Sequence, residues 1–325
     1  MCFFVRERMR KMDKSMAKYI IKRIIISAIT LFAILTILFM MIRSLPGTPF
    51  NSEKMTAAQI AAANVKYGLD KPLIIQYLNY LKNMVTGDFG VSYVLYKDFS
   101  VAGLVGDAAK ISFVYGIAAC VFGTIVGMFL GVVAALKKNT IWDTITTIFS
   151  VLGVSIPSFV FALLMVMLFG NTLKILPLQY SSRNPLFSSI LPVLALSMSV
   201  IANVARFTRT EMISVLNSEY ITLAKAKGLD RKTLIIKHAL RNGLIPVITI
   251  LGPILVNLMT GTMVVEKICG VPGLGKLLIN SIPANDYNIV LACSFLYAVM
   301  YVVIVFVIDI SYGLIDPRIR LGKGD

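Results

Sequence analysis

Charge is what this sequence lacks. Only 15% of its 325 residues are Asp, Glu, Lys or Arg, against about 25% in an ordinary soluble domain. The shortage is concentrated. Six windows contain none of the four: Ile24–Ile42, Ile111–Leu136, Thr144–Leu173, Asn184–Ala205, Asn242–Val265 and Tyr287–Ile308. Each is 19 residues or longer, and a helix needs roughly 20 apolar residues to cross the hydrocarbon core. Apolar residues make up 57% of the chain and the mean hydropathy is +0.81. Buried helices of a large soluble protein do not produce six such windows in one chain. The expected fold class is an all-α polytopic membrane protein with six transmembrane helices.

Further absences narrow the function. The carboxylates nearest the apolar windows, Asp107, Asp143, Glu266 and Asp309, all sit at or close to window ends. No proton relay of charged side chains can cross the bilayer centre, which counts against proton-coupled transport and against an aspartyl intramembrane protease. His238 is the only histidine, and no H-E-x-x-H occurs. The four cysteines, Cys2, Cys120, Cys269 and Cys293, have neither C-x-x-C nor metal-ligand spacing. The expectation is therefore no catalytic residue, no metal site and no cofactor held by this chain. "GVPGLGKL" at Gly270–Leu277 has the G-x-x-x-x-G-K spacing of a phosphate loop. Leu277 stands where that loop needs a hydroxyl, and no strand precedes it. Nucleotide binding by this segment is not expected.

What charge there is reports topology. With the N-terminus inside, the inner segments hold eight Lys/Arg before Ile24, two at Lys137 and Lys138, eight from Arg206 to Arg241 and three in the tail. That is 21 of the 32, the bias expected of cytoplasmic segments. Both termini are then cytoplasmic. The net charge of +16 reflects this bias and attraction to anionic lipid. No aromatic and basic platform accompanies it, so no nucleic acid is expected as a partner. The first window exceeds the usual length of a signal-peptide core and reads as a retained anchor.

Between the first two windows lies an outer segment with its own helix signals. Thr56–Gln59 has capping-box spacing, Gly68 ends that helix, and a second helix runs from Pro72 to Thr86 with Gly87 as its stop. "GDFGVS" at Gly87–Ser92 makes a tight turn. In the second window Gly123, Gly127 and Gly131 recur every four residues and offer one smooth face for close helix packing. Pro157, Pro192 and Pro253 are expected to kink their helices.

One polar insert interrupts the apolar pattern: "EYITLAKAKGLDRKTLIIKHALRNGLIP", residues 219–246. Glu219–Lys227 reads as a short helix stopped by Gly228, and Asp230 caps a second helix from Arg231. Tyr220, Leu223 and Ala224 share a face, Lys225 and Lys227 lie elsewhere, and Ala224 and Ala226 keep the helix thin. On the second helix Ile235, Ile236, Ala239 and Leu240 form an apolar stripe. Such a unit either lies on the membrane with lysines at lipid phosphates or plugs into a groove of a cytoplasmic protein. The alanines favour the groove.

"EYITLAKAKGL" with "KHALRNGLIPVITILG" resembles the coupling loop of binding-protein-dependent ABC importer permeases of the oligopeptide, dipeptide and nickel family. With Gly228 as anchor, the second alanine of that loop's Glu-Ala-Ala falls on Ala224 and its terminal leucine on Leu240. Thr222 and Leu223 replace Glu-Ala, and His238 and Arg241 replace Ile and Pro. "GLDKPLIIQYLNYLKNMVTGDFGVS", "SIPSF" at Ser155–Phe159, "VPGLGKLL", "NDY" at Asn285–Tyr287 and "DPRIR" at Asp316–Arg320 resemble the B-type peptide permease subunit of that family.

The resemblance implies a type I ABC importer transmembrane fold in the cell membrane. Residues 1–43 would form a cytoplasmic N-terminus and first helix, and 44–108 an extracellular segment. Residues 109–312 would be the five-helix transmembrane domain with its coupling loop at about 206–243, and 313–325 a cytoplasmic tail. It also implies partners: a second homologous permease subunit, two ABC ATPase subunits that bind ATP and magnesium, an extracellular solute-binding protein and a peptide substrate. Glu219, Tyr220, Leu223, Ala224, Lys225, Ala226, Lys227, Gly228 and Leu229 would couple to an ATPase. The outer segment and Gly270–Tyr287 would meet the binding protein. Nickel or another small solute as cargo, and a stand-alone secondary carrier, are the alternatives.

Overall fold

A computed structural model describes residues 2–44, 56–66 and 68–315. The described residues form helices α1 (Cys2–Ser44), α2 (Ala57–Lys66), α3 (Leu73–Thr86), α4 (Val101–Leu136), α5 (Ile141–Ser155) and α6 (Ser158–Met165). After α6 comes a π-helical turn, Val166–Thr172, followed by α7 (Pro185–Leu216) and α8 (Glu219–Ala226). The short α9 (Arg231–Thr233) continues through a second π-helical stretch, Leu234–Leu240, into α10 (Arg241–Cys269). Helices α11 (Leu274–Ser281) and α12 (Tyr287–Ile315) complete the order. The "DPRIR" motif and most of the expected 313–325 tail lie outside the described residues.

Among the described residues, four segments are long and apolar enough to cross a membrane alone: Tyr19–Ser44, Val101–Leu136, Pro185–Leu216 and Tyr287–Ile308. Two more candidates are bent. Ile141–Ser155 and Ser158–Thr172 meet at 108°, and Arg231–Leu244 meets Pro246–Met259 at 42°. The described residues therefore carry four to six candidate spans. At the sharper bend Ile156 is extended, with φ −85° and ψ 121°, as steric conflict with a following proline demands. Helical geometry resumes only when Val160 and Phe161 donate back to the Pro157 carbonyl. The break at Pro157 is thus far more than a kink. Helices α7 and α10 continue through Pro192 and Pro253, each carrying its proline inside the helix. The second bend falls at Pro246.

The chain divides into two compact units, Met1–Ala109 with Leu277–Asp325, and Lys110–Lys276. In the first unit α1 packs on α12, and Leu35, Phe39 and Ile42 share a core with Tyr80, Met84, Tyr287 and Leu291. The capping box forms: Thr56 N–H donates to Gln59 Oε1 at 2.8 Å and Gln59 N–H to Thr56 Oγ at 3.3 Å. Gly87 ends α3 with φ 73°. Beyond it the Asp286 carboxylate draws in a whole turn. It accepts from the Ser92 hydroxyl at 2.5 Å and from the backbone N–H groups of Tyr93, Val94 and Leu95 at 3.2, 3.1 and 3.0 Å.

In the second unit α7 is the mast. Helices α5, α6 and α10 all pack on it, and its Ala195, Val200, Ala202, Val204 and Ala205 are fully buried. Helix α4 meets it through glycine. A Cβ on Gly123 would lie 2.6 Å from Val200 Cβ, one on Gly127 2.8 Å from Val204 Cβ, and one on Gly131 2.6 Å from Thr208 Cβ. Gly153 of α5 approaches Ala202 in the same way, at 2.7 Å. Such backbone contact is how helices associate when lipid supplies no hydrophobic drive between them.

Candidate functional site

The polar insert is a folded knob. Helix α8 ends in a left-handed glycine: Gly228 has φ 80°, its N–H donates to the Lys225 carbonyl at 3.0 Å, and Leu229 N–H reaches the Ala224 carbonyl at 3.3 Å. This pair of hydrogen bonds is the Schellman closure, which satisfies carbonyls the helix end leaves open. Asp230 then caps α9, its carboxylate accepting from Thr233 N–H at 3.0 Å. Hydrogen bonding to Thr233 holds the Asp230 carboxyl below the ordinary carboxylate range. Asn242 Nδ2 donates to the Tyr220 hydroxyl at 3.1 Å and ties α8 to the start of α10.

The knob has an inner and an outer side. Ile221 and Ala224 share an apolar cluster with Ala135 at the end of α4, Met212 near the end of α7, and Leu234 and Ala239. Full burial of a side chain such as Ile221 contributes about 1.5–3 kcal/mol. Its outer side carries Tyr220, 41% exposed, and Leu223, 58% exposed, with Glu219, Lys225, Ala226, Lys227 and Gly228 also exposed and Leu229 partly buried. This arrangement corrects the expected grouping of Tyr220, Leu223 and Ala224 on one outward face. Ala224 is only 8% exposed and turns inward beside Ile221, a residue outside the expected coupling set. The i, i+3 pair at 221 and 224 is a signal in the sequence, but nothing in the spacing says which of two apolar stripes meets the bundle. The second stripe shifts likewise: Leu234 and Ala239 are buried while Ile236 is 53% exposed, because the Leu234–Leu240 stretch is π-helical and rotates side chains off the α period.

Next to this end of α4, the Lys137–Thr140 corner is pinned by an ion pair absent from the sequence expectations. Arg209 Nε and Nη2 both donate to the Asp143 carboxylate, the latter at 2.8 Å, and Asn139 N–H adds a third bond at 3.0 Å. A two-point guanidinium–carboxylate contact fixes orientation as well as distance. It joins α5 to α7 at the position where the glycine face of α4 ends. Lys137 Nζ sits 5.0 Å from the ring centre of Trp142, which is 53% exposed.

The segment with phosphate-loop spacing encloses a carboxyl group of its own. Glu266, 1% exposed, accepts from Ser112 Oγ at 2.6 Å and from the N–H groups of Gly275 and Lys276 at 2.8 and 3.3 Å. Ser112 Oγ in turn accepts from Leu274 N–H at 2.8 Å. A Cβ at Gly273 would fall 2.5 Å from Glu266 Cδ, so glycine is required for the turn to close round the carboxylate. Burial pushes the Glu266 carboxyl above its ordinary range, while the bonds from Ser112, Gly275 and Lys276 oppose the shift. Lys276 Nζ donates to the Gly270 carbonyl and closes the turn from the other side.

Known transport proteins are similar to this sequence. The family described as "Binding-protein-dependent transport system inner membrane component" matches residues 127–321. Its N-terminal counterpart, "Binding-prot-dependent transport system membrane comp, N-term", matches residues 16–95. The chain is 42% identical over 306 residues to the dipeptide transport system permease protein of Lactococcus lactis subsp. cremoris, covering 94% of this chain and 100% of that relative. It is 41% identical over 309 residues to the dipeptide transport system permease protein of Bacillus subtilis, covering 95% and 99%. The oligopeptide transport system permease protein of Salmonella typhimurium is 42% identical over 306 residues, covering 94% and 100%. A crystal structure of an amino acid ABC transporter with histidines aligns with a TM-score of 0.51 at 14% identity, covering 64% of this chain and 92% of that one. At that identity the likeness is one of fold.

Proposed function

The chain belongs to the family of binding-protein-dependent transport system inner membrane components, a multi-pass membrane permease rather than an enzyme, and from that premise we propose that it forms half of a translocation path for peptides. The dipeptide and oligopeptide permeases among its relatives support peptide as cargo. In this reading each bent pair counts as one span, giving six, and both termini face the cytoplasm. The 21 basic residues on that side support the orientation. A second permease subunit completes the path, a solute-binding protein delivers cargo to the outer segment, and two ATPase subunits bind ATP and magnesium.

Helix α8 is the coupling element. The observation that carries this role is its two-sided build: Ile221 and Ala224 locked against the ends of α4 and α7, Tyr220 and Leu223 exposed between charged neighbours. A partner that grips the outer side moves α7 with it, because the capped inner side cannot slip. Nucleotide must favour one arrangement over the other for the equilibrium to shift, and a stiff link passes that bias on. Leu223→Asp tests this at an exposed position. Vesicles containing the full set of subunits should lose most ATP-driven uptake of labelled trialanine, with the permease still inserted and the ATPases no longer co-purifying. Full ATPase occupancy and undiminished uptake in that variant would sink the assignment.

A further inference from the structure

The first unit holds a polar cleft that the transport reading leaves without a role. Its volume is about 700 Å³, inside the roughly 300–1,000 Å³ range of small-ligand sites. An aromatic stack builds its wall. Phe39 is 2% exposed, with Tyr80 stacked on it at 5.4 Å between centroids and the Arg43 guanidinium 5.5 Å from its ring centre. Arg43 follows Phe39 by four residues on α1, so the helix itself sets the cation over the ring. Among the described residues no carboxylate pairs with Arg43.

Two buried polar atoms in this region have no partner among the described residues: the Tyr80 hydroxyl, on a side chain 8% exposed, and Gln76 Oε1. Buried polar groups are normally bonded, so each orphan asks for an explanation. The orientation of Gln76 is not arbitrary. Its Nε2 donates to the Leu69 and Lys71 carbonyls at 3.1 and 2.6 Å, and a flipped amide would press Oε1 against both oxygens. Burial, with Tyr77 beside it, pushes the Tyr80 phenol above its ordinary range, so the hydroxyl remains a donor. Asn79, Asn83 and Asp88 line the same cleft.

We propose that this cleft binds a short peptide by its carboxylate end, with Arg43 and the Tyr80 hydroxyl as donors and Gln76 Oε1 and Asp88 as acceptors for its N–H groups. Among the described residues, a cation without an anion, a donor without an acceptor and an acceptor without a donor belong to side chains that line one cleft. The ligand must bring negative charge and N–H groups together. Inorganic phosphate or a lipid phosphate supplies the first but leaves Gln76 unanswered, whereas a peptide terminus supplies both. The identity of the ligand rests on the peptide-permease reading above, and the site is an addition to it: a place on the permease itself where cargo pauses outside the spans.

The full chain in lipid nanodiscs, with any co-purifying subunits, can be titrated calorimetrically with trialanine, trialanine amide and inorganic phosphate. Trialanine should bind, and the amide, which lacks the carboxylate, should bind about tenfold or more weakly. Phosphate should not displace trialanine. Arg43→Met should abolish binding. Asn79→Asp, at an exposed position, should weaken it several-fold by repulsion while leaving the fold intact, which keeps the test valid if the Arg43 variant is unstable. Equal binding of trialanine and its amide, displacement by phosphate, or undiminished binding in Asn79→Asp overturns the site. If trialanine fails to bind while the complete system still takes it up with ATP, the cleft assignment falls and the transport reading stands. Binding with the expected variant effects but no uptake supports the cleft and overturns peptide as the transported cargo.

Discussion

Replacing Gly131 by alanine puts a number on the contact between α4 and α7. The new Cβ would lie 2.6 Å from the Ala205 carbonyl oxygen, 2.6 Å from Thr208 Cβ and 3.0 Å from Arg209 N. Carbon atoms rest at about 3.5–4.0 Å, so the two helices must separate by roughly 1 Å locally. Two of the three opposing atoms are backbone and cannot rotate away. Overpacking of this kind costs about 1–3 kcal/mol. Against it stands the intrinsic preference of a helix for alanine over glycine, about 0.5–1 kcal/mol. Gly116, on the same helix, isolates that second effect, because its Cβ would make only an ordinary contact, 3.6 Å from Leu258 Cδ2. Gly116→Ala should therefore be neutral or slightly stabilising, and Gly131→Ala should fall about 2 kcal/mol below it, roughly a 30-fold difference in folding equilibrium. Unfolding of the purified variants in mixed micelles of rising denaturing-detergent fraction measures the difference directly. Equal stability of the two variants would refute the packing argument.

Two other predictions rest on single groups. Burial raises the Glu266 carboxyl above its unfolded value, so stability from this group is complete below the unfolded carboxyl value of about 4.3 and is lost as the pH climbs through the raised folded value. Wild-type thermal stability should thus decline from acid toward neutral pH relative to Glu266→Gln, whose side chain stays neutral, and parallel pH profiles of the two proteins would contradict the reasoning. Gly228→Pro forces φ to about −65° where the fold needs 80°, and removes the N–H bonded to Lys225; limited proteolysis should open the chain beside Gly228, with Gly228→Ala opening it less, and a wild-type cleavage pattern in the proline variant would count against the cap.

Local chemistry is the legible part of the sequence. The Thr56–Gln59 box, the stops at Gly87 and Gly228 and the Asp230 cap each involve partners within a few residues, so spacing alone carries them. Apolar window length locates the candidate spans for the same reason. The spacing of Gly123, Gly127 and Gly131 marks a face without naming what covers it, since Val200, Val204 and Thr208 lie far along the chain. The buried carboxylates are illegible altogether. Glu266 meets Ser112 across 154 positions and Asp286 meets Ser92 across 194, and no periodicity couples such sites. The inward turn of Ala224 escapes the pattern because a short amphipathic helix offers two plausible stripes, and only the ends of α4 and α7 decide between them. Pro157 shows a kink in sequence and a 108° break in space, because a proline marks the position of a bend but not its angle.

The solitary indole at Trp142 gives this permease a built-in optical reporter. With 1 tryptophan in 325 residues, intrinsic emission excited at the red edge of the protein band comes from a single corner, next to the carboxylate that grips Arg209. Any rotation of that corner against its lysine neighbour would alter the spectrum or the access of a soluble quencher. Conformational cycling could thus be followed in real time without attaching a dye, provided the partner subunits are prepared free of tryptophan.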